Sequence, residues 1–211
     1  MSNIIVTGFE PFLQHQENPT EMVARKLNGK VVGGHTICGY VLPVSYQDAA
    51  QQLLKLVISK KPSVVMMLGL AGDRDVITPE RVAINVMDGA KDNDGRQMVD
   101  QSIASEGPAA YFSTLPIKEM VERLQEKKIP AHISNTAGTY VCNMLMYRVL
   151  HYLNLAGFAS DVRAGFVHIP YASKMKVIDD TPFTNDKLVE AVQEMLAVTI
   201  DTETIQMGVS K

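Results

Sequence analysis

The chain has 211 residues, a formal net charge of −3 and a pI near 5.9. That balance argues against a protein built to grip a phosphate backbone, which would carry a basic excess. Apolar residues make up 46% and charged residues 20%, an ordinary globular composition far from disorder. Two cysteines, Cys38 and Cys142, are too few for a disulfide framework and point to a reducing compartment. The start, Met1-Ser2-Asn3, lacks the basic and apolar stretches of a secretory signal. The longest apolar run, 64–71, is well short of a membrane span. These features predict a soluble, cytoplasmic α/β protein with no nucleic-acid or membrane partner.

In chain order, Ile4-Ile5-Val6 reads as a short buried strand ended by Gly8. Asn18-Pro19-Thr20-Glu21 has the form of a helix start: a cap, proline at the first helical position and an acid in the first turn. Gly29 stops that helix, and residues 31–44 read as extended. Ser45-Tyr46-Gln47-Asp48 resembles a capping box opening a helix that buries Leu53, Leu54 and Val57 and stops at Pro62. Residues 64–68 predict another buried strand, 81–87 a strand, and 88–95 a polar loop. Ile117, Met120, Val121 and Leu124 recur at the helical period. Residues 131–134 read as a short strand. Residues 139–155 read as a helix apolar on most faces, 162–168 as a strand and 184–200 as a last amphipathic helix. A polar tail, 201–211, is expected to fray.

Strands alternating with helices, with no linker or repeat between them, predict a single domain over residues 1–211. Its expected fold is an open, twisted, mostly parallel sheet with helices on both faces. Ligands of such sheets sit at the carboxyl ends of the strands, so the loops after Thr7, Leu68, Met87, Ser134 and Val167 are the places to search. Walker, dinucleotide-glycine, HExxH and GxSxG signatures are missing. His and Cys do not cluster at metal spacing, so neither metal nor cofactor is expected.

Within Asn135-Thr136-Ala137-Gly138-Thr139-Tyr140-Val141-Cys142-Asn143, a tight turn of small residues places Cys142 in the first turn of a buried helix. The helix dipole there favours a thiolate, lowering the thiol pKa toward neutrality; the competing reading is a small core residue. His168, in Val167-His168-Ile169-Pro170, ends a strand at the edge from which the Cys142 turn emerges if the strands at 131–134 and 162–168 run parallel. It is either a general base for the thiol or a histidine bonded to a loop carbonyl. A third group would orient the imidazole. The residues alone do not separate Glu80 from Asp73, Asp75 or Asp88, and Glu80 has the alternative of an ion pair with Arg81 or Arg74.

Several separated motifs occur in order along the chain: Thr7-Gly8-Phe9-Glu10-Pro11-Phe12, Asn18-Pro19, Ile77-Thr78-Pro79-Glu80-Arg81-Val82-Ala83-Ile84-Asn85, Gly107-Pro108-Ala109-Ala110-Tyr111-Phe112, the 136–143 segment and His168-Ile169-Pro170. On these motifs the chain resembles, essentially end to end, the pyroglutamyl peptidase I family of cysteine peptidases. The resemblance implies a catalytic triad of Glu80, Cys142 and His168. It also implies an apolar slot for the pyrrolidone ring formed by Phe9 and Phe12, with Asn18, the Leu70 backbone and Val141 beside it. The implied substrates are peptides with an N-terminal pyroglutamyl residue, and the implied assembly is a homotetramer.

Three departures from the family pattern stand out. Many relatives carry Gly-Gly where this chain has Leu13-Gln14, and glutamine is usual at Leu70. The loop Asp88-Gly89-Ala90-Lys91-Asp92-Asn93 is about one residue shorter than in relatives and lacks an arginine often placed near the oxyanion. The alternative function is therefore a catalytically impaired pyroglutamyl-binding protein of the same fold.

Overall fold

In the computed structural model, which describes residues 3–176 and 183–208, the first apolar run becomes β1 (Asn3–Phe9). Helix α1 (Pro19–Leu27) follows, capped as its sequence predicts: Asn18 Oδ1 accepts from the Thr20 amide at 3.1 Å and the Thr20 hydroxyl at 2.7 Å. Such a cap contributes about 1 kcal/mol. The Thr20 hydroxyl in turn accepts from the Phe9 amide at 2.9 Å. This close approach needs Gly8, where a Cβ would stand 2.1 Å from the Thr20 carbonyl oxygen.

The extended region at 31–44 is a hairpin, β2 (Val31–Val32) and β3 (His35–Leu42), turning at Gly33 and Gly34 with φ of 54° and 80°. Helix α2 (Asp48–Lys60) follows. Ser45 Oγ accepts from the Asp48 amide at 3.1 Å but donates to Asp94 Oδ2 at 2.7 Å. Half of the expected capping box is thus made, and its other partner comes from a distant loop. Lys61 in the left-handed region, then Pro62, ends the helix. The next strand is β4 (Val64–Leu70), buried at every residue.

The predicted strand at 81–87 is shorter and lies elsewhere. β5 (Thr78–Pro79) precedes it, and β6 (Val82–Ile84) pairs with β7 (Ala110–Phe112) in a separate two-stranded sheet. The physical reason is Asn143, a fully buried side chain that donates to the Ile84 and Val86 carbonyls and accepts from the Ile84 amide. It satisfies backbone groups that would otherwise need a neighbouring strand. Residues 131–134 likewise form no strand, only isolated bridges from Ala131 to Ile77 and from Ser134 to Glu80. Helix α3 (Ile117–Glu126) buries its predicted stripe, and α4 (Val141–Leu155), β8 (Arg163–Ile169) and α5 (Asn185–Gly208) complete the chain. The backbone of α5 continues past Asp201, where the sequence reading expected fraying. No stop residue occurs before Gly208, and only the last three residues of that tail lie outside the described chain.

The main sheet has the order β2-β3-β1-β4-β8-β5. Its four central strands are parallel, and the two edge strands run antiparallel. Strand alternation divides the core. Ile4, Val6, Met66 and Val167 face α1, α3 and α5, while Ile5, Val65, Met67 and Phe166 face α2 and α4. Each such fully buried side chain contributes about 1.5–3 kcal/mol relative to exposure. Among the described residues, no helix is long and apolar enough to cross a membrane.

Candidate active site

Strands β4 and β8 pair in register so that Gly69 lies opposite His168. Edge strand β5 runs back along β8, Thr78 opposite His168, and the Glu80 amide donates to the Phe166 carbonyl at 2.9 Å. The Glu80 side chain is fully buried, and its Oε1 accepts from His168 Nδ1 at 2.7 Å and from Arg74 Nη1 at 2.8 Å. Both sequence readings of Glu80 therefore hold at once, as ion pair and as imidazole partner; Arg81 instead donates to Asn135 Oδ1. Glu80 Oε2 is buried without a hydrogen-bond partner.

Burial pushes the Glu80 carboxyl up. The His168 hydrogen bond and charge, helped by Ser134 and Arg74, outweigh it and hold the group below the usual carboxylate range. An ionised carboxylate can only accept, so Nδ1 of His168 carries the proton and Nε2 is left as the basic nitrogen.

Cys142 is the second residue of α4, where the first amides of a helix have no intrahelical partner. Its Sγ lies against Gly69: a Cβ at that glycine would stand 3.0 Å from the sulfur and 2.6 Å from Phe166 Cε1. The expected lowering of the thiol pKa is overturned. Burial first, then the Glu80 charge, push it up to about 12, while its own amide and Arg74 pull the other way. The helix start is real, but its field is smaller than the loss of solvent around the sulfur.

The shared strand polarity anticipated for His168 and Cys142 is also absent. Residues 131–134 bridge 77–80 in parallel and so run opposite to β8. The 135–140 connection, not a common strand direction, carries the chain to the cysteine.

Phe9, Phe12, Asn18, Leu70 and Val141 all line one slot with Cys142, and Val44 and Tyr140 complete its walls. Phe9 is at once a core residue, 6.5 Å ring to ring from Phe166, and a wall of the slot. Asn18 likewise serves as helix cap and lining residue. The cavity is about 10 Å³, room for about one water. Val44 and Tyr140 were missed because both sit in connections; the aromatic at 140, set among small residues, was the available signal.

The short loop at 88–93 stays against this wall. Asp88 N donates to the Thr139 carbonyl at 2.9 Å, Tyr140 Oη donates to the Lys91 carbonyl at 3.1 Å, and Asn93 N donates to the Val44 carbonyl at 3.0 Å. The Lys91 side chain itself is exposed.

A family model described as pyroglutamyl peptidase matches residues 2–206. The chain belongs to that family. It is 49% identical over 176 residues to a pyrrolidone-carboxylate peptidase of Halalkalibacterium halodurans, covering 83% of this chain and 87% of that one. It is 44% identical over 194 residues to the protein of the same name from Oceanobacillus iheyensis, covering 92% and 96%. Among solved structures, the pyrrolidone carboxyl peptidase of Thermococcus litoralis superposes with a TM-score of 0.90 at 35% identity, over 98% of this chain and 96% of that one. A mutant pyrrolidone carboxyl peptidase from P. furiosus gives 0.87 at 37%, over 94% and 98%. The α/β architecture expected from the sequence is the architecture of this family.

Proposed function

We propose that this protein is a cysteine peptidase that hydrolyses the amide bond after an N-terminal pyroglutamyl residue, with Glu80, Cys142 and His168 as its triad. The observation that carries the reading is one arrangement: Cys142 lines an apolar slot, its sulfur packs against Gly69, and Gly69 lies opposite His168, whose Nδ1 is fixed by a buried carboxylate. A pyroglutamyl end has no free amine, so an apolar slot with backbone partners for the lactam suits it. Proline, which lacks the lactam carbonyl, would leave those polar partners unpaired.

Because the thiol rests near a pKa of 12, no thiolate is stored. Nε2 of His168 takes the proton as sulfur attacks the carbonyl carbon, and the oxyanion is held by the free amides at the start of α4. The imidazolium then gives its proton to the leaving nitrogen as the C–N bond breaks, releasing a peptide with a new amino terminus. Water attacks the thioester while His168 accepts its proton, and 5-oxoproline leaves with the thiol restored. The proton ledger closes among side chains and water, with no cofactor. The slot must widen to admit the ring. Phe12, packed between Tyr140 at 6.3 Å and His15 at 5.0 Å between ring centres, is the wall residue we assign to that movement.

The binding-only alternative is not favoured, since the carboxylate–imidazole pair is intact. A cytoplasmic location and a homo-oligomeric assembly, a tetramer by analogy with the family, belong to the same reading. Sedimentation tests the assembly. Release of a chromogenic amine from a pyroglutamyl amide, beside a prolyl control, tests the function. Turnover of the first alone is expected, and equal or no release from both overturns the reading.

A further inference from the structure

A cleft of about 730 Å³ adjoins the slot, and Asn18 lines both. From Asn18 it follows one face of α1, past Glu21 and Met22 to Arg25 and Lys26, with Tyr171 on the facing wall. We propose that this cleft receives the peptide that follows pyroglutamate, and that its far end takes a carboxylate. The proposal rests on the hydrolytic reading above.

Direction, length and charge support it. In the hydrolytic reading the leaving nitrogen receives its proton from His168, and Tyr171, three residues further on, stands in the cleft wall. The departing chain therefore starts on the side where the cleft opens. A helix rises about 1.5 Å per residue, so the stretch from Pro19 to Lys26 spans about 10 Å, the length of about three extended residues.

The cleft is also polarised. Glu17 and Glu21 lie toward the slot, and Arg25 and Lys26 lie at the far end. Arg25 pairs with half-buried Glu21 at 2.9 Å and Lys26 with Asp186 at 2.7 Å, but both cations are exposed. Such pairs are weak and exchange readily, so both cations can turn to a ligand. The third residue after the ring thus meets two cations, and the first meets two carboxylates. A carboxylate at that third position can be the C-terminus of a tetrapeptide or an acidic side chain in a longer one.

The test compares three substrates with the intact enzyme at low salt: pyroglutamyl-trialanine as the free acid, the same peptide as its C-terminal amide, and pyroglutamyl-Ala-Ala-Glu-amide. The free acid is expected to exceed the amide in kcat/KM by about threefold to fivefold, the range of one exposed ion pair. The advantage should vanish near about 0.5 M salt. An equal advantage for the internal glutamate means that the cleft reads any carboxylate; an advantage for the free acid alone means that it reads a chain end. In the R25A/K26A double variant the acid-to-amide ratio should fall to about one. Equal rates for acid and amide in the parent, alongside turnover of a small chromogenic pyroglutamyl amide, overturn the cleft proposal alone. A ratio that survives in the double variant does the same. Failure to hydrolyse any pyroglutamyl amide overturns the function and this proposal together.

Discussion

The Cys142 sulfur stands in the space that a side chain at Gly69 would need, 3.0 Å from where that Cβ would lie. The missing side chain at Gly69 therefore makes room for both Cys142 and Phe166, with His168 opposite on β8. Gly69→Ala overpacks a wholly buried strand, at a cost of about 1–3 kcal/mol, and displaces the sulfur. A misplacement of about 1 Å costs about 10²-fold in rate. We expect a folded variant with a modestly lower Tm and a kcat reduced by at least that factor. Unchanged kcat would show that the thiol is not positioned by this contact.

Cys142→Ser should abolish measurable turnover with the fold intact, because the exchange is nearly isosteric and the hydroxyl is a far weaker nucleophile in this role. Cys38→Ser should retain activity: Cys38 lies in β3, its thiol 3.9 Å from Asn3 Oδ1 and outside the slot. Circular dichroism and steady-state rates on the two variants check both statements. Substantial activity in the serine variant at 142 would remove it as nucleophile.

Glu80→Gln keeps an acceptor for His168 Nδ1 but removes the charge, and kcat should fall by about 10²–10⁴-fold. The stability effect has a defined sign. The Glu80 carboxyl is held below its ordinary value, so its contribution is complete above the unfolded pKa and is lost as pH falls through the folded one. The Tm gap between parent and variant should be widest near neutral pH and close in acid, below the ordinary carboxylate range. A gap that does not change with pH would contradict this account.

With the thiol pushed up to about 12, proton removal and sulfur attack belong to one step. The solvent deuterium isotope effect on kcat/KM should therefore be normal, about twofold, as for general-base catalysis. An inverse or unit effect would indicate a preformed thiolate. EDTA should leave the rate unchanged, and mild thiol oxidants should suppress it until reductant is added.

Lys91→Ala should change kcat/KM by less than about twofold, the scale of an exposed charge, because that side chain is exposed and it is the Lys91 carbonyl that Tyr140 holds. Ala90→Arg should be nearly silent for the same reason. A gain of about fivefold or more in kcat would place a guanidinium from this loop at the oxyanion.

Much of this was legible in the residues. The helix at 19–27 carried its cap, proline and acid in order, and the central strands carried uninterrupted apolar runs. What was not legible depends on distant partners. No local pattern shows that Asn143 takes over the backbone at 84–86, which is why a seven-residue strand was expected where three residues pair. Two-residue β5 has no periodicity to read, yet it sets Glu80 against His168. The Cys142 ionisation departs from the sequence expectation for a related reason: a helix start can be read from sequence, whereas the desolvation that opposes it depends on which strands surround the sulfur.

β8 lies between β4 and β5 although it follows both by more than eighty residues in the chain. During synthesis, Glu80 leaves the ribosome well before His168 and Cys142 26 residues before it, and β5 has no strand to pair with until β8 arrives. The thiol therefore emerges ahead of the imidazole that assists it. Hydrolytic competence arises in one late event, the insertion of β8, and not by gradual accretion. Pairings this remote in sequence make that insertion slow relative to helix formation, so the peptidase stays inert until its sheet is closed.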